Sequence, residues 1–310
     1  MKVKLFSHTD LDGYGCNIVA RSVFNNNVDC ENLNYNNVND RIKEFINSEE
    51  HKDYDRIYIT DISVNDEIAK ILDNSVDTYI KLLDHHPTAL ELNSYEWVIV
   101  DIERDGEKTC GTRMLYDELI NKQEIDTPYK KSLLNIVENI RKYDTWLWKE
   151  KYGDVRPKQL NDIFFILGEE RFCNMVLDEL NYCNCENTIE AILGSYSLLL
   201  ELQQEKIDKY INKKNKEIIE YILNGYNIGI VFAEQFQSEL GNRLSELNPQ
   251  YDLIAMIGDK TISYRTIHEN INCGNIASWF GGGGHPKASG SQISLDNKYK
   301  YIDELFKFNS

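Results

Sequence analysis

The sequence lacks several features that would place it in a common class of protein. It has no apolar run near the roughly 18 residues that a membrane-spanning helix needs, and the opening Met1-Lys2-Val3-Lys4 does not resemble a secretion signal. Only 5 of the 310 residues are proline, and no internal repeat is present. We therefore expect a cytoplasmic globular protein, without a membrane partner and long enough for two domains.

Basic residues are also scarce. The chain has 34 Lys and Arg against 51 Asp and Glu, a formal net charge of -17. A field of this sign repels a long polyanion, which argues against general binding of long duplex nucleic acid. An acidic protein can still bind a short single-stranded RNA or a small nucleotide where divalent cations reverse the local charge. The sequence leaves a homodimer open.

Paired cysteine motifs are missing as well. The 7 cysteines are scattered, and Cys183 and Cys185 form only a Cys-x-Cys, not the Cys-x-x-Cys pairs of a zinc site. We expect reduced thiols, buried or idle, in a cytosolic protein.

Short apolar runs alternate with helical patterns in the first half of the chain. This alternation predicts an α/β fold with a doubly wound parallel sheet covered on both faces. The predicted strands are Lys2–Ser7, Arg56–Thr60, Tyr79–Leu83 and Trp97–Val100. The predicted helices are Gly13–Phe24, Arg41–Ser48, Asn65–Asp73, Gly111–Ile120 and Tyr129–Lys142.

The pattern changes near Thr188. Apolar residues at helical spacing among Lys and Glu predict one long helix or two from Thr188 to Leu223, ended by Asn224-Gly225. A smaller α/β unit should follow, with strands Ile228–Ala233, Leu253–Ile257 and Thr261–Thr266 and helix Ser238–Leu247. The predicted organisation is an α/β domain over 1–187, a helical connector over 188–225 and a smaller α/β domain over 226–310.

Acidic and histidine side chains follow three of the predicted strands. His8, Asp10 and Asp12 come directly after the first strand, Asp61 ends Arg56–Thr60, and Asp84-His85-His86 ends Tyr79–Leu83. In an open α/β sheet the carboxyl ends of parallel strands form the ligand-binding edge, so these side chains should converge.

So many carboxylates in one place repel each other strongly unless cations lie among them. Imidazole mixed with carboxylate suits Mn²⁺, Fe²⁺ or Zn²⁺, and a two-metal site of this kind acts in displacement at phosphorus. The ordinary alternatives are that a lone Asp at a strand end caps the next helix and that a lone His packs in the core. Neither explains the whole set.

A glycine-rich segment, Gly281–Gly284 followed by His285 and Lys287, is the second informative stretch. Consecutive glycines let backbone amides approach an anion, although a glycine run is often only a turn. Arg265 just upstream offers a forked contact to phosphate, and its alternative is a surface ion pair. Trp279 and Phe280 are expected to pack in the core rather than to stack on a base.

These residues resemble the signature segments of the DHH phosphoesterase superfamily and of its C-terminal DHHA1 domain. The motif sequences are similar to those of the nanoRNase B branch. The resemblance covers essentially the whole chain, and it implies a catalytic DHH domain over 1–187 and a substrate-binding DHHA1 domain over 226–310. The segments that carry it are His8-x-Asp10-x-Asp12-Gly13, Asp61, Asp84-His85-His86, Asp144 and Gly281–Gly284-His285.

The resemblance implies a role for each matching residue, with two divalent ions, Mn²⁺ above all, as cofactor. His8 and Asp10 would hold one ion and Asp12 the other, with Asp61 bridging. His85 and Asp144 would complete the ligand set of the second ion, Asp84 would orient His85, and His86 would contact the scissile phosphate. The residues implied to hold the terminal nucleotide are Arg265, Gly282, Gly283, Gly284 and His285. Asp144 rests on the resemblance alone.

The implied function is a two-metal phosphodiesterase that degrades short oligoribonucleotides to 5′-mononucleotides. The alternative substrates are linear or cyclic dinucleotides such as pApA, or 3′-phosphoadenosine 5′-phosphate (pAp). A nucleotide sensor with a decayed site is disfavoured because every expected ligand type is present. An inorganic pyrophosphatase is disfavoured because the glycine-histidine turn replaces a lysine-rich signature.

Overall fold

The computed structural model describes residues 1–75, 77–121, 130–182 and 187–305. Two compact units make up the chain, residues 1–200 and residues 201–310. The division at residue 200 falls within the predicted connector, and the domain limits at 187 and 225 stay a prediction. Within the described ranges, no helix is both long and apolar enough to cross a bilayer.

The first unit is built on a sheet of five parallel strands with helices on both faces. Its strands are β1 (Val3–Ser7), β2 (Val28–Asn32), β3 (Arg56–Thr60), β4 (Tyr79–Asp84) and β5 (Val98–Val100), followed by a small hairpin of β6 (Glu103–Arg104) and β7 (Glu107–Lys108). Its helices are α1 (Leu11–Phe24), α2 (Val38–Asn47), α3 (Asp66–Ser75), α4 (Gly111–Asn121), α5 (Lys130–Asp144), α6 (Arg156–Leu167), α7 (Glu169–Tyr182) and α8 (Thr188–Ser195). The strand order is β2-β1-β3-β4-β5.

Successive strand residues point to opposite faces of the sheet, which gives this unit two hydrophobic layers. Leu5 and Tyr58 pack with α1, α4 and α5 on one face. Phe6 and Ile59 pack with α2 and α3 on the other. The predicted doubly wound sheet is confirmed.

The strand β2 was missing from the prediction. Val28–Asn32 reads Val-Asp-Cys-Glu-Asn, which has little β propensity and no apolar alternation. It lies at the edge of the sheet, where only β1 pairs with it and none of its side chains is fully buried. An edge position tolerates such a composition because little of it must enter the core.

The second unit is a mixed six-stranded sheet with its own core. Its elements are α9 (Ser197–Asn215), which begins in the first unit, β8 (Ile219–Leu223), β9 (Tyr226–Phe232), α10 (Gln237–Leu247), β10 (Leu253–Ile257), β11 (Thr261–Arg265), α11 (Cys273–Ser278), β12 (Gly283–Gly284), β13 (Ala288–Gln292) and α12 (Leu295–Leu305). The strand order is β12-β13-β11-β10-β9-β8, and only β9 and β10 run parallel. The predicted smaller α/β unit is confirmed.

The helical prediction for the connector is wrong at its C-terminal end. Helices cover Thr188–Ser195 and Ser197–Asn215, but Ile219–Leu223 is the strand β8, paired antiparallel with β9. Ile219, Tyr221 and Ile222 are exposed, so their apolar character does not reflect a helix face. The β-branched and aromatic composition of Ile-Glu-Tyr-Ile-Leu suits a hairpin closed by Asn224-Gly225.

The cysteines that the structure describes are free thiols, as expected. Cys16, Cys110, Cys173 and Cys273 are buried, and Cys30 is half-buried. Cys183 and Cys185 lie outside the described residues.

Candidate metal centre

The loop after β1 places the first acidic residues at the carboxyl edge of the sheet. Asp10 caps α1, since its Oδ1 accepts the Gly13 amide at 3.0 Å, and its Oδ2 lies 2.9 Å from His8 Nδ1. Burial opposes ionisation of this carboxyl, but the hydrogen bond and charge of His8 together with the Gly13 amide lower the pKa of Asp10 to about 2. Asp10 is therefore an anion at neutral pH, ready to bind a cation.

Asp12 lies in the first turn of α1 and is almost fully buried, at 1% exposed. The amides of Gly111 and Thr112 donate to its two carboxylate oxygens at 2.7 and 2.9 Å. Both amides belong to the N-terminus of α4, where the helix dipole favours a negative charge. The N-terminus of α4 thus stabilises an anion that would otherwise be costly to bury.

Asp61 directly follows β3 and lies at the centre of the acidic cluster. It is 1% exposed, and its φ is 58°, a left-handed conformation that Asp and Asn tolerate better than most residues. A Cβ on Gly111 would lie 2.5 Å from the Asp61 Cβ, so only glycine fits at position 111. Burial, and then the charges of Asp12, Asp10 and Asp144, raise the pKa of Asp61 well above its ordinary value.

One oxygen of Asp61 has no hydrogen-bond partner among the described residues. Oδ1 lies 3.2 Å from His85 Nε2, whereas the buried Oδ2 accepts no hydrogen bond and lies 3.9 Å from His8 Nδ1. An unpartnered buried carboxylate oxygen is costly. A divalent cation would satisfy it.

His85 and Asp144 complete the far side of the cluster. The His85 Nε2 lies 3.5 Å from Asp144 Oδ2 and 3.7 Å from Asp12 Oδ2. Burial lowers the pKa of His85, which favours the neutral imidazole that binds metals. Asp144 is the last residue of α5, and burial together with Asp12 and Asp10 raises its pKa.

Asp84 makes a different contact from the one that the resemblance implies. Its Oδ1 bonds the ring Nδ1 of His86 at 2.7 Å and accepts the His85 backbone amide at 2.8 Å, while Ser63 Oγ donates to Oδ2. Asp84 therefore orients the imidazole of His86, and it contacts His85 through the main chain only. Burial disfavours the charged form of both groups, but the hydrogen bond and the attraction between Asp84 and His86 outweigh it. The pKa of Asp84 is therefore lowered and the pKa of His86 is raised.

The candidate ligand atoms form three groups, each within 4.8 Å. Asp61 belongs to the group of His8 and Asp10, and its Oδ1 lies 3.2 Å from His85, a member of the group with Asp12 and Asp144. The donor set mixes carboxylate oxygen with imidazole nitrogen, which fits Mn²⁺, Fe²⁺ or Zn²⁺ better than Mg²⁺ or Ca²⁺. The groups are His8, Asp10 and Asp61; Asp12, His85 and Asp144; and Asp61, Asp84, His85 and His86.

No family model matches the chain. Oligoribonuclease NrnB of Bacillus subtilis (strain 168) is 38% identical over 312 residues, an alignment that covers 98% of this chain and 76% of that protein. The chain belongs to the DHH/DHHA1 phosphoesterase superfamily.

A second relative and a solved structure are also similar to the chain over nearly its whole length. A 3′,5′-cyclic-nucleotide phosphodiesterase of Helicobacter pylori (strain ATCC 700392 / 26695) is 26% identical over 353 residues, covering 98% of this chain and 96% of that protein. The solved structure of exonuclease RecJ bound to manganese superposes with a TM-score of 0.58 at 12% identity, covering 98% of this chain and 89% of that one. At that identity the match shows the fold alone.

In the second unit, Arg265 on β11 has no carboxylate partner in the described part of the chain. Its Nη1 donates to the Tyr264 carbonyl at 2.9 Å, and its buried Nε has no acceptor. Burial lowers the pKa of Arg265. The surface ion pair considered as its alternative is not formed, and the side chain has donors left for an anion.

The glycine segment includes β12, and residues 285–287 form a tight turn from β12 to β13. The His285 amide donates to the Ala288 carbonyl at 2.8 Å, and Gly281 and Gly284 have φ of 70° and 135°, which favour glycine. A Cβ on Gly282 would lie 2.1 Å from the Gly290 carbonyl oxygen. Gly283, Gly284 and His285 are exposed, so the turn presents them to solvent.

Three further side chains lie near this turn in the sequence, one basic and two aromatic. Lys287 forms an ion pair with Glu269 at 2.8 Å. Trp279 and Phe280 are 48% and 45% exposed, so the prediction that they pack in the core is wrong. A helix of only six residues, α11, ends just before them and leaves them at the surface.

Sequence reasoning missed the residues that hold the ligands in place. Gly111, Thr112 and Ser63 bond Asp12 and Asp84 but carry no charge. Gly111 and Thr112 could have been predicted from the sequence, because a helix that begins at Gly111 offers free backbone amides to an anion.

Proposed function

We propose that this protein is a two-metal phosphodiesterase that hydrolyses short oligoribonucleotides to 5′-mononucleotides. One observation carries the proposal: buried Asp61, with an unpartnered oxygen, shares a group of candidate ligands with His8 and Asp10. On its other side, Oδ1 lies 3.2 Å from His85, which shares a group with Asp12 and Asp144. The 38% identity to an oligoribonuclease over nearly the whole chain supports the substrate class.

The two proposed ions share Asp61 and differ in their other ligands. His8, Asp10 and Asp61 would hold one, and Asp61 with Asp12, His85 and Asp144 would hold the other. Two divalent ions, when bound, lower the pKa of water and neutralise phosphate charge. We propose Mn²⁺ as the preferred metal because of the mixed donor set.

His86 supplies a proton donor to the phosphate. Its Nδ1 is bonded to the buried Asp84 carboxylate, which favours the imidazolium and leaves Nε2 to donate to a non-bridging oxygen. A fixed donor aimed at developing negative charge stabilises the transition state.

The second unit is proposed to bind the terminal nucleotide. Arg265 keeps a buried Nε without an acceptor, and His285 with the amides of Gly282, Gly283 and Gly284 offers further donors. Few phosphates can be bound in this way, which favours short substrates over long ones in a chain of net charge -17.

The free thiols of the described cysteines fit a reducing compartment, and we propose that the protein acts in the cytoplasm. A homodimer stays a prediction of the sequence.

A second candidate function keeps the site and changes the substrate. The relative named 3′,5′-cyclic-nucleotide phosphodiesterase matches 98% of this chain, so cyclic nucleotides deserve a direct test, with pApA and pAp beside them.

The test is a substrate panel with a metal panel. RNA of two to five nucleotides, pApA, pAp and 3′,5′-cyclic AMP are incubated with Mn²⁺, Mg²⁺, Zn²⁺ or chelator, and products are separated by chromatography. The proposal expects 5′-mononucleotides from RNA, fastest with Mn²⁺. Hydrolysis of the cyclic nucleotide with the RNA untouched would select the second candidate. Nucleotide binding without turnover in any metal would select a sensor.

A further inference from the structure

Tyr35 lies over the acidic cluster but belongs to none of the predicted sites. It follows β2 in a turn that the chain holds firmly: the Asn34 amide donates to Asn37 Oδ1 at 2.8 Å, and Thr9 Oγ1 donates to Asn34 Oδ1 at 2.8 Å. Thr9 lies between His8 and Asp10 in the sequence, so this bond ties the turn to the metal loop. The Tyr35 side chain is nevertheless 52% exposed and open to a ligand.

The phenol ring contacts two of the three histidines of the site, His8 and His86. Its centroid lies 5.1 Å from that of His8 and 5.9 Å from that of His86, to which it is nearly perpendicular. The hydroxyl lies 3.3 Å from His86 Nε2 and 3.4 Å from Nδ1. Tyr35 thus places one polar atom beside the histidine that is proposed to contact the phosphate.

Tyr35 and His86 each keep a polar group that could donate a hydrogen bond to a ligand. His86 Nδ1 is bonded to Asp84 Oδ1 at 2.7 Å, so Nε2 is the nitrogen left for a ligand. Within the described residues, the Tyr35 hydroxyl makes no bond other than the long contacts to His86. A phenol has an ordinary pKa of about 10 and keeps its proton at neutral pH, so it can donate.

We propose that the Tyr35 hydroxyl donates a hydrogen bond to the scissile phosphate, beside the Nε2 of His86. The proposal rests on the proposed phosphodiesterase function and adds one substrate contact to it. Two donors 3.3 Å apart can serve a single phosphate group, one oxygen each or one oxygen together. The bonded turn holds the Tyr35 backbone in place, and the ring lies against His8 and His86 before substrate binds, so little ordering is required in the transition state.

Tyr35→Phe tests this contact because it removes the hydroxyl and keeps the ring against His8 and His86. With an RNA trimer and Mn²⁺, kcat/KM should fall about 10- to 100-fold, the loss typical of one hydrogen bond to a charged group. AMP affinity, measured calorimetrically with Ca²⁺ present, should weaken about 10-fold. AMP is a product of the reaction, and its 5′-phosphate is the group that was the scissile phosphate. Mn²⁺ affinity and Tm should equal those of the wild type.

Tyr54→Phe is the matched control. Tyr54 donates to Asp29 at 2.7 Å, away from the acidic cluster, so its loss should leave kcat/KM unchanged. The effect of Tyr35→Phe should also shrink on a His86→Asn background, since the two donors share one phosphate.

The outcomes separate the two claims. Wild-type protein that cleaves the trimer, with Tyr35→Phe equally active and equally tight for AMP, would overturn the role of Tyr35 and leave the phosphodiesterase standing. A Tyr35→Phe variant with weaker Mn²⁺ binding or lower Tm would also overturn it, because the residue would then support the site rather than contact substrate. Wild-type protein inactive on every substrate and metal would overturn both.

Discussion

Replacing Asp61 with Asn should make the metal-free protein more stable while it destroys metal binding. Asn is the suitable substitution because it keeps the shape of Asp and tolerates the φ of 58°, whereas Ala would add backbone strain. The change removes one negative charge from the centre of a buried acidic cluster. Stability and function should therefore move in opposite directions.

The size of the gain follows from the distances and the pKa of Asp61. Its ligand oxygen and that of Asp10 lie within 4.8 Å, and two unit charges at that separation repel by about 3.5 kcal/mol at an effective dielectric constant of about 20. The protein can avoid the repulsion by keeping Asp61 protonated, which at pH 7 costs about 4 kcal/mol relative to the unfolded chain. We expect Asp61→Asn to gain about 2–4 kcal/mol at pH 7.5 without metal.

The pH dependence has a definite sign. The folded-state pKa of Asp61 is raised, so its contribution to stability is fully present below the unfolded pKa and is lost as the pH rises through the folded value. The advantage of Asp61→Asn should therefore be small near pH 4.5 and grow toward pH 7.5.

The measurement is denaturant unfolding of both proteins in chelator at the two pH values, followed by calorimetric titration with Mn²⁺. The variant should bind fewer ions than the wild type and lose activity by about 100- to 1,000-fold or more. Asp66→Asn is the control, since exposed Asp66 pairs with Lys70 and its removal should not stabilise the protein. A metal-free Asp61→Asn protein less stable than the wild type at pH 7.5 would refute the reasoning.

Three further predictions concern the surroundings of Asp61. Asp84→Asn should lower the pKa of His86, so the alkaline limb of the kcat profile, where His86 loses its proton, should move to lower pH. Gly111→Ala should weaken Mn²⁺ binding about 10-fold or more, since its methyl group would push Asp61 aside; calorimetry measures this. Arg265→Gln should raise KM for an RNA trimer about 10-fold and leave Mn²⁺ affinity unchanged, and equal losses in both would contradict a phosphate-binding role.

Much of the first unit could be predicted because its signals are local. Arg56–Thr60 is a short apolar strand followed by an acid, and the parallel topology then brings Asp61 to the same edge as His8 and Asp84. Asp144 could not be found in this way. It ends a helix, where an acidic residue is unremarkable, and only tertiary packing of α5 brings it within 3.5 Å of His85.

The errors arose where tertiary context overrides local pattern. Val28–Asn32 forms a strand because β1 offers it an edge, not because its side chains favour one. Ile219–Leu223 continues a helical spacing from α9 but pairs with β9. Trp279 and Phe280 were assigned to the core by their size, yet the short helix before them leaves both at the surface.

All the candidate metal ligands precede residue 145 and belong to one compact unit, whereas Arg265 and His285 belong to the other. Under the proposed function, hydrolytic chemistry and substrate selection would be encoded in separate stretches of the gene. Mutations after residue 200 would then retune which nucleotide is accepted while the ligands of the first unit stay as they are. A scaffold divided in this way can diversify by exchanging its selective half, and the different substrates named for its relatives are what such a history would leave behind.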